Sequence, residues 1–510
     1  RNGRLAAAGM EVYAAIDLGA ESGRTMLARF DGDRLALEEV HRFPNGPVRA
    51  GQGLYWDILR LWEEVKAGIA RCAVQAGSHG IAALGVDTWG VDFALLDRDG
   101  ELLGLPHHYR DPRTQGMMDE AFRRVPREEV FAATGIQFMP INTLYQLLSL
   151  VVRRSPLLHA ATTFLTIPDL LNFWLTGRRV CEFTNATTTQ LYDPRAGNWA
   201  WSLMERLGIP TRIFPEVVPP GTVVGSLVAD AAEETGAGRC QVIAPACHDT
   251  GSAVAAVPVA ASSVGSYAYI SSGTWSLVGT EVRQPVITPQ SLALNFTNEG
   301  GVGGTFRLLK NVMGLWLVQE CRRAWARQGS DYTYDQLIEL AALAAPLQAF
   351  VDPDHPDFLA PGDMPARLRA RCRATGQPEP QEPGAVVRCV LESLALKYRL
   401  VLEQLDVLLG RRVEPVHVVG GGARNRLLCR FTADATGRML LAGPTEATAL
   451  GNVLVQAMAR GRLASLAEGR ELVRRSFAIE VYAPDPRATA AWNEAYARFT
   501  QLLGDAAKPA

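Results

Sequence analysis

Lysine is almost missing from this chain of 510 residues. Lys66, Lys310, Lys397 and Lys508 are the only four, and arginine carries nearly all the positive charge. This is a compositional habit and points to no function. Long apolar runs are missing as well: no stretch reaches the roughly 18 residues a membrane-spanning helix needs. Charge of one sign is not in excess, with 51 Lys and Arg against 53 Asp and Glu for a net −2. That balance gives no global attraction to nucleic acid or to an anionic membrane surface. The eight cysteines, Cys72, Cys181, Cys240, Cys247, Cys321, Cys372, Cys389 and Cys429, form no C-x-x-C pair. A zinc ribbon and a thioredoxin-type redox site are thereby excluded. Also lacking are the P-loop G-x-x-x-x-G-K-[ST], an H-R-D loop paired with D-F-G, and H-E-x-x-H. Gly19 and Gly23 do not fit the spacing of a dinucleotide fingerprint. Arg1 to Met10 has two arginines and a short alanine run but no apolar centre of a signal peptide. It is set aside from the fold, with Met10 a candidate start, and the cytoplasm is the expected compartment.

What the chain does have is 48% hydrophobic and 20% charged residues, at a length sufficient for two or more cored domains. Its most informative feature is a pair of turns half a chain apart. Asp17-Leu18-Gly19-Ala20-Glu21-Ser22-Gly23-Arg24 follows the apolar run Val12 to Ile16, and Ser271-Ser272-Gly273-Thr274-Trp275-Ser276 follows Ala268 to Ile270. Each reads as strand, Gly-rich turn, strand. Small residues let backbone N–H groups crowd onto an anion, and hydroxyls add donors. Two such turns imply two related halves gripping one phosphorylated ligand, and point to ATP-dependent phosphotransfer. The surrounding pattern alternates. A helix is predicted over Asp57 to Cys72, strands over Ile81 to Val86, Val91 to Leu96 and Gln241 to Ala244, and a helix from Gly251 towards Pro258. A long helix is predicted over Ala385 to Leu409, then the strand Val416 to Val419, Gly420-Gly421-Gly422, a helix near Asn425 to Thr436 and a strand over Met439 to Ala442. Strand, Gly-rich loop, helix is a geometry for nucleotide approach. Segment 350–384, rich in Pro, Asp and Arg, is predicted to be dominated by loops.

Phosphoryl transfer to a hydroxyl needs a phosphate cradle, a Mg²⁺ site and a carboxylate near the attacking oxygen. Asp17, ending the first strand, can hold a hydrated Mg²⁺ beside the phosphates. Asp249, ending another, is the candidate base; its first task is to orient the hydroxyl, since the proton can leave late. Each residue alone has a plainer reading. Either Asp is a turn or cap former, His248 a core histidine, Trp89 and Trp275 core aromatics, and Gly421 part of a helix-entry loop. The combination in this order carries the argument.

At these residues the chain resembles the FGGY carbohydrate kinases, of the superfamily that includes actin and the heat-shock chaperones. Within them it is similar to bacterial kinases for L-rhamnulose. The resemblance runs from about residue 12 to 485 and rests on long motifs. They include Gly85-Val86-Asp87-Thr88-Trp89-Gly90-Val91-Asp92-Phe93, Tyr109-Arg110-Asp111, Asn142-Thr143-Leu144-Tyr145-Gln146-Leu147, Asn298-Glu299-Gly300-Gly301 and Leu309-Lys310-Asn311-Val312-Met313-Gly314. It implies an α/β chain of two ribonuclease-H-like domains with a ligand cleft between them, and transfer of the ATP γ-phosphate to O1 of L-rhamnulose with Mg²⁺. It assigns Ala20, Glu21, Ser22, Gly23 and Arg24 to ATP phosphates, with Thr274, Gln319 and Gly421 on the nucleotide side. Gly90, His248, Asp249, Thr250 and Asn311 go to the sugar, and Asp249 is the proton acceptor. Glu21 departs from a small hydroxyl residue, so only its backbone is expected to meet phosphate. Cys247 replaces a common Ser. Cys372 and Cys389 match a disulfide the family can carry.

The implied domains are 11–257 on the sugar side, 258–485 on the nucleotide side, and a C-terminal helix and tail over 486–510. Two other readings stay open: a kinase for L-fuculose, xylulose or another ketose, and a non-catalytic ATP-binding switch on the same scaffold. The implied partners are the sugar and ATP, with neither nucleic acid nor membrane.

Overall fold

The computed structural model describes residues 9–260, 262 and 265–504. The last part of the expected tail, 505–510, lies outside them. The chain divides into two compact units. Unit 1 comprises Arg1–Pro258, Val282–Leu308 and Ala447–Phe477; unit 2 comprises Val259–Glu281, Leu309–Glu446 and Ala478–Ala510. The chain first crosses between the units after Pro258. The later returns of Val282–Leu308 and Ala447–Phe477 to unit 1 differ from the contiguous division expected, and the C-terminal helix Thr489–Leu503 packs within unit 2. No helix of the described residues is long and apolar enough to cross a membrane.

Unit 1 is built on a six-stranded sheet of β1 (Glu11–Leu18), β2 (Ser22–Phe30), β3 (Leu35–Pro44), β4 (Ala83–Thr88), β5 (Val223–Ser226) and β6 (Gln241–Ile243), in the order β3-β2-β1-β4-β6-β5. β1 runs antiparallel to β2 and parallel to β4, and β4 runs parallel to β6. β1 and β4 lie in the middle and are buried on both faces, which is why both read as unbroken apolar runs. Helices Ile58–Ala76 and Ala447–Ala459 pack on this sheet. The first starts at Asp57, whose carboxylate accepts from the Arg60 amide.

The second sheet has seven strands: β7 (Ala268–Ser272), β8 (Trp275–Val282), β9 (Thr297–Gly300), β10 (Phe306–Met313), β11 (Val416–Val419), β12 (Leu440–Ala442) and β13 (Glu480–Tyr482). Their order is β9-β10-β8-β7-β11-β12-β13. Within unit 2 the 27-residue helix Pro383–Leu409 is the main packing element and meets helices Tyr334–Leu343 and Arg426–Thr436.

Segment 350–384 is less loop-like than its composition predicts. It contains the helix Met364–Ala374, started by Asp363, whose side chain accepts from the Ala366 amide. Buried Met364, Leu368 and Cys372 recur every fourth residue and give this arginine-rich stretch an apolar stripe. All eight cysteines are buried free thiols, so the Cys372–Cys389 disulfide is not formed. The two side chains act on each other: the partner thiol is the first cause holding Cys372 below its ordinary value and pushing Cys389 well above.

Candidate active site

In unit 1, three chain segments bring acids to one edge of the sheet. β1 delivers Asp17 and β4 delivers Asp87, directly opposite each other in the parallel register. The third segment follows β6: a parallel bridge joins Thr88 to His248, and the Thr88 amide donates to the Cys247 carbonyl at 2.9 Å. Asp249 opens the helix Asp249–Ala255. That helix is seated by close backbone approach: a Cβ on Gly451 would lie 1.7 Å from the Ser252 carbonyl oxygen. The Ser252 hydroxyl also donates to the Ala246 carbonyl at 2.7 Å, closing the turn before the helix. Buried Glu182 completes the support, accepting from the Cys247 amide at 2.9 Å and from Thr184, whose Oγ1 accepts in turn from the His248 amide.

The electrostatics follow from that crowding. Asp249 is pushed up to about 8, first by burial and then by the charge of Asp17. Its side chain keeps 22% of its surface open, so it is enclosed by protein yet still reachable. Asp87, fully enclosed, is held well above the carboxylate range by burial and by Asp17. It accepts from Asn452 Nδ2 at 2.7 Å. Asp17 makes an ion pair with Arg24 Nε at 2.9 Å across the β1–β2 hairpin, in register Asp17 to Arg24. His248 is held neutral: burial and the neighbouring Arg307 both oppose its protonation.

The turn between β1 and β2 is compact. The Gly19 amide donates to the Ser22 carbonyl at 2.9 Å, and Asn45 ties it down, with Nδ2 on the Gly19 carbonyl and its amide on the Glu21 carbonyl. Gly23 is required here, since a Cβ would lie 2.1 Å from the Phe43 ring. Ala20, Glu21 and Ser22 are half-buried, at the tip. Gly90 follows β4, and a Cβ there would lie 3.2 Å from His248 Nε2 and 3.1 Å from the Thr188 hydroxyl. The next residue, Val91, has φ +65°, a rare backbone for a β-branched residue, pinned by the Thr188 hydroxyl on its amide and the Thr143 hydroxyl on its carbonyl. Asp92 then collects the Trp56 and Trp89 indole N–H groups, the Tyr109 amide and Gln146 Nε2.

In unit 2, the β7–β8 hairpin makes the second turn, with the Gly273 amide on the Trp275 carbonyl at 2.9 Å. The Thr274 carbonyl accepts from the Gly314 and Trp316 amides, which joins the turn to the start of helix Trp316–Arg327. Gln319 lies in the first turns of that helix; its Oε1 is buried with no hydrogen-bond partner among the described residues. Gly420, at φ +87°, and Gly422 lie against Ser272, where a Cβ on Gly422 would be 1.9 Å from Oγ. Gly421 is exposed, with open space around a built Cβ. Asn311 lies half-buried on β10. The expected residues thus fall into two groups. Asp17, Ala20 to Arg24, Gly90 and His248 to Thr250 lie in unit 1, whereas Thr274, Asn311, Gln319 and Gly421 lie in unit 2.

Two family models match the chain in succession. The FGGY family of carbohydrate kinases, N-terminal domain, matches residues 12–256, and its C-terminal domain matches 268–460. The chain belongs to the FGGY family of carbohydrate kinases. A protein of Bacteroides thetaiotaomicron named rhamnulokinase is 46% identical over 491 residues, covering 96% of this chain and 99% of that one. One of the same name from Oceanobacillus iheyensis is 42% identical over 92% of this chain and 97% of its own. Among solved structures, the gluconate kinase of Lactobacillus acidophilus matches with a TM-score of 0.78 at 18% identity, over 98% of this chain and 99% of that chain. The xylulose kinase of Rhodospirillum rubrum matches with 0.74 at 21% identity, over 97% and 98%. At those identities the structures establish the sugar-kinase fold, an α/β architecture of two domains.

Residue-by-residue reading of this FGGY chain missed several groups that hold the site. Asp87 appears in a motif but is given no role, and Glu299, Arg307 and Asn452 are given none either. Their signal is weak in one dimension: Asn452 reaches Asp87 from 365 residues away.

Proposed function

We propose that the chain transfers the γ-phosphate of ATP to O1 of L-rhamnulose, giving L-rhamnulose 1-phosphate and ADP, in the cytoplasm. The choice of sugar is supported by the full-length likeness to proteins named rhamnulokinase. The observation that carries the chemistry is Asp249: a reachable carboxylate at the start of a helix, beside His248 Nε2 at 3.6 Å, on the same sheet edge as Asp17 and its Gly-rich turn.

In this reading the backbone of Ala20 to Gly23, with the Ser22 hydroxyl and Arg24, receives ATP phosphates, and Thr274, Gln319 and Gly421 serve the nucleotide from unit 2. Gly90 and the His248–Thr250 segment receive the sugar, with Asn311 a further contact. Asp249 in its ionised form accepts a hydrogen bond from the O1 hydroxyl and fixes its direction. As the O–P bond forms and the bond to the β-phosphate oxygen breaks, the proton passes to Asp249 and ADP leaves. Among the described residues no group of three or more His, Cys, Asp or Glu is arranged to hold a metal ion. One buried carboxylate, Asp17, beside a phosphate turn fits Mg²⁺ held through a carboxylate, water and phosphate oxygens. When bound, the ion neutralises phosphate charge.

The test is sugar-dependent ADP release by the purified chain with Mg²⁺-ATP, across L-rhamnulose, L-fuculose, D-xylulose and glycerol. L-Rhamnulose is expected to give the highest kcat/KM. A different ketose in first place replaces the substrate, and ATP binding without turnover on any sugar leaves the non-catalytic switch. Loss of turnover with chelator, restored by Mg²⁺, tests the metal.

A further inference from the structure

Arg307, near the start of β10, has a side chain with no exposure at all, and every arm of its guanidinium is used. Nε donates to the Gly300 carbonyl at 2.8 Å, Nη1 to the Thr250 hydroxyl at 3.0 Å and Nη2 to His248 Nδ1 at 3.1 Å. Glu299 Oε2 lies 3.3 Å from Nη2 as its counter-charge and 3.5 Å from His248 Nδ1. An arginine only donates. The ring nitrogen it faces must therefore be a bare lone pair, and a neutral imidazole must then carry its proton on Nε2. Nε2 is the nitrogen that faces Asp249 Oδ1 at 3.6 Å and borders Gly90. That gap is too long for a hydrogen bond between the two side chains. A hydroxyl oxygen seated against both atoms, to one side of the gap, would accept from Nε2–H and donate to the carboxylate.

We propose that Arg307 is a positioning residue for sugar phosphorylation: its fixed fork locks His248 in the Nε2–H tautomer and anchors Thr250, so that a donor and an acceptor converge on one sugar hydroxyl. This rests on the reading of His248 and Asp249 as the sugar site. The groups facing the His248–Asp249 pair are Asp17, Asp87, Glu299, Arg307 and Thr250. Lysine could not replace the fork, because its single ammonium cannot hold Gly300, Thr250 and His248 in one plane.

The experiment is nitrogen-15 NMR of the imidazole rings, with the His248 signals assigned by their loss in His248→Asn, alongside sugar and ATP kinetics. The parent is expected to show His248 as Nε2–H. Arg307→Met leaves Glu299 buried without its counter-charge, so the double variant Arg307→Met with Glu299→Gln is measured beside it. In the folded double variant the ring is expected to become a mixture of tautomers. The kcat/KM for sugar is expected to fall about 100-fold while the KM for ATP changes by less than about twofold. Arg307→Lys should recover only part of the loss. An Nδ1–H or imidazolium His248 in the active parent overturns the proposal whatever the variants do. So does a folded double variant with the parent's tautomer and the parent's sugar kinetics, or equal losses toward sugar and ATP. A parent that phosphorylates no ketose but keeps the Nε2–H ring removes the functional reading and leaves the assigned geometry standing.

Discussion

The two units carry the same strand plan with opposite chemistry at its centre. In unit 1 the order β3-β2-β1-β4-β6 is an antiparallel meander continued by parallel strands, and in the second sheet β10-β8-β7-β11-β12 has the same order; an antiparallel edge strand follows in each, β5 from before β6 in the chain and β13 from after β12. The hairpin β1–β2 corresponds to β7–β8, and the parallel neighbour β4 to β11. Register then equates residues: Asp17 faces Asp87 in one sheet, and Ser271 faces Val419 in the other. One scaffold thus concentrates acids at a strand edge and its counterpart offers hydroxyls, an apolar residue and three glycines. The fold alone therefore supplies a way to present a turn, and the chemistry is set by which residue ends each strand.

The strongest way to break this comparison is Asp249→Asn. Turnover is expected to fall by about 10³-fold with ATP binding retained, measured by coupled ADP release and calorimetry. Unchanged turnover would remove the acid edge from the mechanism. The same variant has a stability signature. Asp249 holds its proton to about pH 8 when folded, against 3.8 for the free group. The folded state binds the extra proton between those values, so this contribution is complete below about pH 4 and is lost as pH rises towards 8. Asparagine removes that loss, and its advantage in Tm over the parent is expected to widen from pH 5 to pH 8 and then level off. A constant difference across that range would mean that the parent's carboxyl titrates normally.

The reciprocal change puts an acid in the neutral counterpart. Ser271 is buried, so Ser271→Asp is expected to cost roughly 3 kcal/mol in denaturant unfolding, with no gain in activity. A stable variant would show that unit 2 tolerates charge and that its neutrality is incidental. Next, Gly451→Ala forces the Ser252 backbone away and shifts the helix that begins at Asp249. It is expected to lose about 1–3 kcal/mol and to lower kcat while sparing the KM for ATP. The smallest effect belongs to Gly421→Ala. Open space surrounds its Cβ, so stability is expected to change by less than about 0.5 kcal/mol. Only the KM for ATP should rise; an unchanged value would detach Gly421 from the nucleotide.

Local features were readable in the chain. β1, β4 and β11 announce themselves as buried apolar runs, and both Gly-rich turns fall between paired strands as expected. Asp17 was accessible because it lies at the end of such a run, whereas Asp249, expected at a strand end, opens a helix six residues beyond β6. Helix Met364–Ala374 was hidden because four of its eleven residues are arginine and its stripe is narrow. Groups that act through distance were hidden for a different reason. Arg307 meets His248 across 59 residues, and no periodicity records that meeting. The return of Ala447–Ala459 to unit 1 is equally silent, since a buried helix reads the same whichever sheet it covers.

That return has a consequence for biosynthesis. The helix lies against β1 and β4, and Gln456 donates to the Ala14 carbonyl at 3.0 Å across 442 residues. A nascent chain emerging amino end first would carry this sheet with one apolar face uncovered until residues 447–459 had left the ribosome. Its first-made unit is thus among the last to be completed, and exposure to chaperones and proteases during translation would fall on that face.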